Sequence, residues 1–559
     1  MKNFFRNISR LAFPYFRSEE WKSAWLLLIS IICLNLGIVY LSVQFNKWNN
    51  AFYDSLQNLD VTGFAAALER FSWLALIYIL AGVYSAYLNQ FLQIRWRRWM
   101  TATFLNRWLE HQTYYRMQIG SSDADNPDQR ISEDIRQFIE LTLDLSLGLI
   151  STVVTLVSFV VILWGLSGDL PLPLGNGNTI IVPGYMVWVA LIYSMFGTWL
   201  TAKIGRPLVA LNFDQQRFEA DFRFSLVRLR ENSESIAFYK GEAAEKTGFI
   251  ARFTDVFDIY KRVMGRRKTL SWFTSGYGQI AVIFPYVVAA PRFFTGAIKI
   301  GGLMQTAAAF DRVRGALSFV VDSYTSLAIL SAVSIRLQSF SEHMTAARAL
   351  EGIGAKITQG AALTSTALNV RLPDGTALQS NIQLNVPPAA SLLIQGPSGC
   401  GKSTLLRVIS GLWPYADGTV TVPAGEQLFV PQKPYLPLGT LRNALLYPGR
   451  THASDDILLQ ALADCQMAHF GGRLDEVAPW SHTLSLGEQQ RLTFLRAIIT
   501  APAVVFLDEA TSALDEASET YFYKLLRQRL PNALIVSVGH RNTLQPLHDH
   551  VLQLQKRIA

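Results

Sequence analysis

Long stretches without a single charged residue dominate the first half of the chain. Five of them follow one another: Ser23–Asn46, Phe71–Ile94, Leu145–Gly168, Leu170–Ala202 and Thr269–Pro291. Each exceeds the roughly 20 residues that a helix needs to cross the hydrocarbon core of a bilayer. The fourth stretch opens with prolines and glycines, so its helix is predicted to begin near Gly184. The pattern therefore predicts at least five membrane-spanning helices.

A sixth apolar stretch, Gly302–Ile335, is interrupted by charged residues and is weaker on apolar length alone. The distribution of Lys and Arg decides the count. Basic residues are concentrated after the second and fourth stretches, whereas the loop after the third has neither Lys nor Arg. Because basic residues accumulate in the cytosolic loops of membrane proteins, this pattern predicts that both termini are cytosolic. That requires an even number of spans, and we expect six.

The remaining sequence organises into cytosolic extensions and a second domain. Phe218–Ser233 and Ile250–Arg262 mix apolar and charged residues at helical spacing, so we expect them to extend the membrane helices into the cytosol. We assign residues 1–338 to a transmembrane domain and residues 339–366, rich in Ala, Gly and Thr, to a linker. Residues 367–559 alternate short apolar strands with turns and helices, which is typical of a soluble α/β domain.

Composition agrees with one apolar and one soluble half. Only 16% of the residues are charged and the mean hydropathy is +0.21, whereas soluble proteins average about 25% charged residues. Lys and Arg exceed Asp and Glu by 8. Because the basic clusters lie where they orient a membrane protein, no nucleic-acid partner is expected. The 3 cysteines are too few for a disulfide framework.

A glycine-rich loop with the pattern G-x-x-x-x-G-K-[ST] follows the apolar strand Leu392–Gln395 and precedes a predicted helix. Its residues are Gly396, Pro397, Ser398, Gly399, Cys400, Gly401, Lys402, Ser403 and Thr404. In this strand–loop–helix setting, backbone N–H groups and the helix N-terminus bind the phosphates of a nucleotide. We expect Lys402 to contact the β- and γ-phosphates of ATP, and Ser403 to supply a hydroxyl ligand to Mg²⁺.

A second apolar strand, Val504–Leu507, ends in two acidic residues. We expect Asp508 to hold Mg²⁺ through water and Glu509 to act as the general base on the attacking water. An apolar strand that ends in Asp-Glu is common by itself. Together with the phosphate loop, it predicts ATP hydrolysis.

The segment Leu484–Arg491 resembles the signature that defines ABC-type ATPases. It departs from the usual Leu-Ser-Gly-Gly-Gln at Leu486 and Glu488. The resemblance implies that Ser485 and Gly487 contact the γ-phosphate held by the phosphate loop of a second chain. It also implies a homodimer, joined through both the membrane and the ATPase domains.

Three further positions match parts of the same family in order. Gln432 resembles the Q-loop residue that senses Mg²⁺, so the resemblance makes it a third candidate ligand of this ion. Asp515 resembles the D-loop aspartate, and His540 resembles the switch histidine that holds Glu509 and the γ-phosphate. The aromatic residue that usually stacks on adenine is not evident around Leu372–Gly375.

Two segments of the membrane half, Asn126–Ile131 and Asn232–Tyr239, narrow the resemblance. They are similar to segments of the peroxisomal ABC half-transporters of subfamily D and of the bacterial ATPase-fused SbmA/BacA-like transporters. In this family the second segment couples the membrane helices to the ATPase, which makes Glu234 and Tyr239 coupling candidates; a solvated helical stretch is the alternative. The resemblance implies six transmembrane helices of the exporter-like ABC type IV, followed by an α/β P-loop ATPase domain. It also implies a multi-pass protein of a bacterial inner membrane, with both termini and the ATPase domain in the cytosol.

The charged residues of the sixth stretch are the best clue to the cargo: Asp311, Arg312, Arg314 and Asp322. Charges inside a bilayer usually face a pathway, so these residues are cavity candidates, and structural ion pairs among them are an equal alternative. A polar cavity favours a hydrophilic small-molecule or peptide cargo, such as a peptide or a cobalamin-like compound. An acyl-CoA or fatty-acid transporter and a membrane-anchored regulatory ATPase are the alternatives.

Overall fold

The structure, a computed structural model, describes residues 2–120, 126–174, 178–350, 353–449 and 452–555. It consists of two compact units. The helical unit comprises Met1–Trp108 and Asp125–Glu342, and the α/β unit comprises Leu109–Ala124 and His343–Ala559.

Helices, several of them very long, make up most of the first 350 residues. In chain order they are α1 (Lys2–Ala12), α2 (Trp21–Gln57), α3 (Val61–Leu109), α4 (Thr113–Gly120), α5 (Pro127–Gln129), α6 (Ile135–Ser167), α7 (Tyr185–Glu231), α8 (Ser233–Tyr239), α9 (Glu242–Phe294), α10 (Ile300–Asp322) and α11 (Tyr324–Ala349). Within the described residues, 6 helical segments are long and apolar enough to cross a membrane, which confirms the predicted number of spans.

The outward faces of these helices carry large apolar side chains that the unit does not bury. Examples on five different spans are Leu26, Val83, Val161, Ile192 and Val287. Helices satisfy their backbone hydrogen bonds internally, and the side chains on these outward faces are apolar. The surface of the helical unit is therefore suited to lipid rather than to water.

The helix boundaries agree closely with the sequence pattern around the fourth and fifth spans. A hairpin of β1 (Asp169–Leu174) and β2 (Asn178–Pro183) follows α6, and α7 begins one residue after Gly184. Beyond the apolar stretch, α7 continues without interruption to Glu231, and α9 begins at Glu242. The predicted cytosolic extensions are thus continuous with the membrane helices.

The sixth span consists of two helices, because α10 ends at Asp322 and α11 begins at Tyr324. α11 continues past Ile335, where the apolar stretch ends. The described part of residues 339–366, assigned above to a linker, holds the end of α11 and the first strands of the α/β unit. Alanine has the highest helix propensity of all residues, so an Ala-rich composition is compatible with this helical continuation.

Among its described residues, the α/β unit contains two five-stranded sheets and a two-stranded one. The strands are β3 (Lys356–Gly360), β4 (Leu363–Arg371), β5 (Ala377–Ile382), β6 (Asn385–Val386), β7 (Ser391–Gln395), β8 (Ala416–Pro423), β9 (Gln427–Val430), β10 (Gly439–Thr440), β11 (Val477–Ala478), β12 (Val504–Asp508), β13 (Leu534–Val538) and β14 (His550–Gln553). The helices are α12 (Lys402–Ile409), α13 (Leu441–Leu446), α14 (Asp455–Asp464), α15 (Trp480–Thr483), α16 (Leu486–Thr500) and α17 (Glu516–Arg529).

The site is organised by the parallel sheet, in which the strands have the order β14-β7-β13-β12-β9. Every residue of β7, β12 and β13 is buried, as expected for parallel strands that are covered on both faces. The carboxyl ends of parallel strands meet at one edge of the sheet, where α/β proteins bind their ligands. The phosphate loop, Glu509 and His540 all follow strands of this sheet at that edge.

Candidate nucleotide-binding site

The phosphate loop connects β7 to α12 through backbone conformations that glycine favours. Gly401 caps α12 with φ at +96°, and a Cβ there would lie 2.4 Å from the Leu378 side chain. Gly396 has φ at +153°, and a Cβ there would lie 2.5 Å from the carbonyl oxygen of Leu554. The loop therefore runs close to its neighbours and leaves the N–H groups of the first turn of α12 available for an anion.

Lys402 is turned back onto the loop that precedes it. Its Nζ donates hydrogen bonds to the carbonyl oxygens of Gly396 at 2.9 Å and Pro397 at 3.1 Å. The residue is only 6% exposed. Such a buried ammonium group, bonded to carbonyls of the loop, is placed to transfer these bonds to phosphate oxygens.

Ser403 and Asp508 form an oxygen-rich pair beside the loop. The Ser403 hydroxyl donates to Asp508 Oδ1 at 2.8 Å, and Asp508 is 7% exposed. Burial raises the pKa of Asp508, while the hydrogen bond from Ser403 opposes that rise. A hydroxyl and a carboxylate are ligands that Mg²⁺ prefers, so these two residues fit a magnesium site.

The predicted general base, Glu509, lies between Gln432 and His540. The family resemblance assigned Gln432 to sense Mg²⁺ and His540 to hold Glu509. Gln432 Nε2 donates to Glu509 Oε2 at 2.7 Å, and His540 Nε2 lies 3.1 Å from Glu509 Oε1. The amide of Gln432 thus faces Glu509. Two residues that are far apart in sequence thus converge on one carboxylate, directly after β12.

The signature segment begins α16 with a capping box. The Ser485 side chain accepts from the Glu488 N–H at 3.3 Å, and Glu488 Oε2 accepts from the Ser485 N–H at 2.9 Å. Burial opposes the ionised form of Glu488, but the hydrogen bonds from Ser485 and the nearby His469 together outweigh it and lower the pKa of Glu488. Glu488 therefore stabilises the helix start, as the usual Gln at this position could also do. Leu486 is exposed, and Gly487 lies near the Ala513 carbonyl.

Asp515 is the N-cap residue of the next helix, α17. Its carboxylate accepts from the Ser518 N–H at 2.7 Å, and this bond lowers the pKa of Asp515. Sequence reasoning missed two neighbours of this segment, Gln490 and Arg541, which hold residues 512–514. Gln490 lies within the signature segment and Arg541 directly follows His540, and these positions were the available signal.

The candidates of the helical unit fall into two groups. On α8, Glu234 and Tyr239 are exposed, and Tyr239 is 86% exposed. On α10, Arg314 Nη2 lies 2.6 Å from Asp311 Oδ1, one helical turn away. Arg312 lies between them in the sequence and Asp322 ends the helix. One of the structural ion pairs considered as an alternative is therefore present.

Comparison with known proteins identifies both the transmembrane part and the ATPase part of the chain. Residues 8–294 match the family "ABC transporter transmembrane region 2", and residues 379–512 match "ABC transporter". An uncharacterized ABC transporter ATP-binding protein of Haemophilus influenzae is 38% identical, over 95% of this chain and 89% of that protein. The inner membrane ABC transporter ATP-binding protein YddA of Escherichia coli is 33% identical, over 97% of this chain and 96% of that one.

More distant matches extend over the whole chain. The human lysosomal cobalamin transporter ABCD4 is 27% identical, over 98% of this chain and 94% of that protein. Among solved structures, a bacterial Atm1-family ABC exporter with ATP bound has the same fold. Its TM-score is 0.73 at 16% identity, and the match covers 95% of each chain.

Proposed function

The chain belongs to the ABC transporter family as a half-transporter that couples ATP hydrolysis to transport, and we propose that it moves a hydrophilic, peptide- or cobalamin-like solute across a bacterial inner membrane. The main support for ATP hydrolysis is the position of the Glu509 carboxylate between Gln432 and His540. It lies next in sequence to Asp508, which is bonded to Ser403 of the phosphate loop.

Each residue of this site has a distinct role in hydrolysis. Lys402 exchanges its bonds to loop carbonyls for bonds to the β- and γ-phosphates. Ser403, Asp508 and Gln432 hold Mg²⁺, which when bound neutralises charge on the phosphates. Glu509 takes the proton of the attacking water, while His540 orients Glu509 and contacts the γ-phosphate.

A second copy of the chain completes the site. Each chain carries one phosphate loop and one signature, so we propose that Ser485 and Gly487 of a second copy close over the γ-phosphate. The start of α16 suits this role, because a helix N-terminus favours an anion. The exposed α8, with Glu234 and Tyr239, would transmit that closure to the membrane helices.

The proposal of a hydrophilic cargo rests on polar residues within the membrane spans. Asp311, Arg312, Arg314 and Asp322 are all on α10, which forms the first part of the sixth span. The Asp311–Arg314 pair lowers the cost of having these charges at membrane depth without removing their polarity. The similarity to a protein named as a cobalamin transporter favours the same class of cargo.

The test is ATP hydrolysis by the purified protein in liposomes, with Glu509→Gln and the matched control Glu516→Gln. Glu516 is an exposed acid at the start of α17, where its loss leaves the site intact. We expect Glu509→Gln to bind ATP but to lose steady-state hydrolysis, and Glu516→Gln to behave as the wild type. Undiminished turnover in Glu509→Gln would contradict the assignment of the base.

The same liposomes distinguish the cargo classes. We expect peptides or cobalamin to stimulate hydrolysis and to accumulate in an ATP-dependent manner. Stimulation by acyl-CoA alone would replace the proposal by a lipid-type cargo. Hydrolysis without flux of any of these compounds would favour the regulatory ATPase.

A further inference from the structure

The backbone of Glu509 lies in an unfavourable conformation. Its φ is +49°, a region that residues with a side chain rarely adopt. Such a conformation persists only where the surrounding structure fixes it, and it is common at catalytic positions. The residues that fix the segment after Glu509 therefore determine where its carboxylate points.

Ser512 is the point at which this segment is held. Its N–H donates to the carbonyl oxygen of Glu509 at 3.1 Å, which closes a turn on the base itself. Two side chains from other elements also bind this turn, and each comes from a segment that carries another part of the site.

Gln490 reaches the turn from α16, one helical turn after the signature glycine Gly487. Its Nε2 donates to Ser512 Oγ at 3.0 Å, and its Oε1 accepts from the Ala513 N–H at 2.9 Å. Gln490 is 0% exposed. A buried amide whose donor and acceptor are both used on one turn fixes the distance between that turn and the signature helix.

Arg541 reaches the same turn from the other side, directly after the switch histidine. Its Nη1 donates to the Leu514 carbonyl at 2.8 Å, and its Nη2 to the Ser512 carbonyl at 3.4 Å. The planar guanidinium thus binds two carbonyls of the turn at once. A displacement of His540 would pull on this turn through its neighbour.

We propose that Gln490 and Arg541 are positioning residues. They hold the carboxylate of Glu509 where it can take the proton of the attacking water, and they connect its turn to the signature segment and to the switch histidine. Neither residue contacts Glu509 or the phosphate loop through any hydrogen bond observed among the described residues. Both bind residues 512–514. Gln490 also donates to the Gln432 carbonyl at 3.5 Å, and Arg541 Nη1 lies 3.7 Å from Oε1 of the buried Glu519. The inference rests on the proposed role of Glu509 as the general base.

Arg541→Met provides the main test, with Arg527→Met as the matched control. Arg527 also donates to a backbone carbonyl, that of Ala389, and is paired with Asp549, but it does not bind the turn. We expect Arg541→Met to lower kcat on the order of 10-fold to 100-fold, as for a misplaced catalytic group, with KM for ATP nearly unchanged. Binding of a fluorescent ATP analogue should match that of Arg527→Met. The unfolding temperature should fall further than in Arg527→Met, because the buried Glu519 carboxylate loses a neighbouring positive charge.

Conservative variants separate positioning from general damage. Arg541→Lys keeps the charge and one possible carbonyl bond, so it should recover part of kcat, and it also replaces Arg541→Met if that variant does not fold. Gln490→Ala should lower kcat without a matching rise in KM. Wild-type kcat in Arg541→Met, or a loss of ATP binding in a folded Arg541 variant, would overturn the proposal.

Glu509→Gln in the same preparations shows which idea has failed. If Glu509→Gln still hydrolyses ATP, the proposed base is wrong. If Glu509→Gln is inactive and Arg541→Met fully active, only the positioning role is wrong.

Discussion

Replacing Asp134 by Asn should destabilise the helical unit more than any nearby change of charge. Asp134 ends a π-helical turn, Arg130–Asp134, just before α6. Its carboxylate accepts from Arg130 Nη1 at 2.8 Å and from Arg336 Nε and Nη2 at 2.8 and 2.6 Å. The side chain of Asp134 is 1% exposed. Because Arg336 lies on α11, the ion pair between Asp134 and Arg336 joins the start of the third span to the end of the sixth.

The expected loss in the free energy of unfolding follows from the two arginines that lose the Asp134 carboxylate in Asp134→Asn. An amide at residue 134 presents donors to guanidinium groups that are themselves only donors, so both arginines lose a counter-charge. Breaking a fully buried ion pair costs about 3–5 kcal/mol. The Arg336 side chain is 38% exposed and can regain part of its hydration, so we expect the lower end, about 3 kcal/mol. For a unit of about 330 residues, an unfolding entropy of about 2.1 cal/mol/K per residue converts this to a shift of about 4 °C.

The assay is thermal unfolding of the full chain in detergent, followed by tryptophan fluorescence. The matched control is Glu140→Gln, two turns further along α6. Glu140 pairs with Arg136, and both side chains are 37% exposed, so that change should cost at most about 0.5 kcal/mol. Asp134→Glu keeps the charge and should lie between the two. If Asp134→Asn unfolds at the same temperature as Glu140→Gln, the reasoning about this buried triad is refuted.

Two further predictions concern packing and pH. A Cβ at Gly197 would lie 2.2 Å from the ring of Tyr277, so Gly197→Ala should destabilise the contact between α7 and α9 by about 1–3 kcal/mol. The control Gly205→Ala, whose Cβ meets nothing nearer than 3.9 Å, should unfold at or slightly above the wild-type temperature, because alanine favours a helix more than glycine does. Equal unfolding temperatures for the two variants would contradict the prediction. Burial lowers the pKa of His548 below its ordinary value of 6.5. The unfolded chain therefore binds the proton more tightly, and stability should fall as the pH drops below about 6.5, by less than about 1.4 kcal/mol per pH unit. Urea midpoints of the α/β unit in the full chain should become less pH-dependent in this range in His548→Gln, and an unchanged slope would argue against His548 as the cause.

Much of the fold was predictable because its signals are local. Charge-free length and the placement of Lys and Arg indicated six spans, since the bilayer imposes its thickness on each helix independently of the others. The break between α10 and α11 and the continuation of α11 beyond Ile335 were not predictable in this way. Charged residues within α10 weakened the apolar signal there, and the Asp311–Arg314 contact that reduces their cost is visible only in the folded helix.

For the candidate site, the sequence by itself determined which groups are present. The phosphate loop, the acids at the end of β12 and the start of α16 follow from short patterns, because each depends on one strand or helix and its neighbouring turn. Only the tertiary structure decided that the Glu509 carboxylate lies between Gln432 and His540, and that Gln490 and Arg541 hold the turn behind it. These contacts join residues from separate strands and helices. Their geometry is set by the order and register of the parallel sheet, which no local pattern of residues specifies.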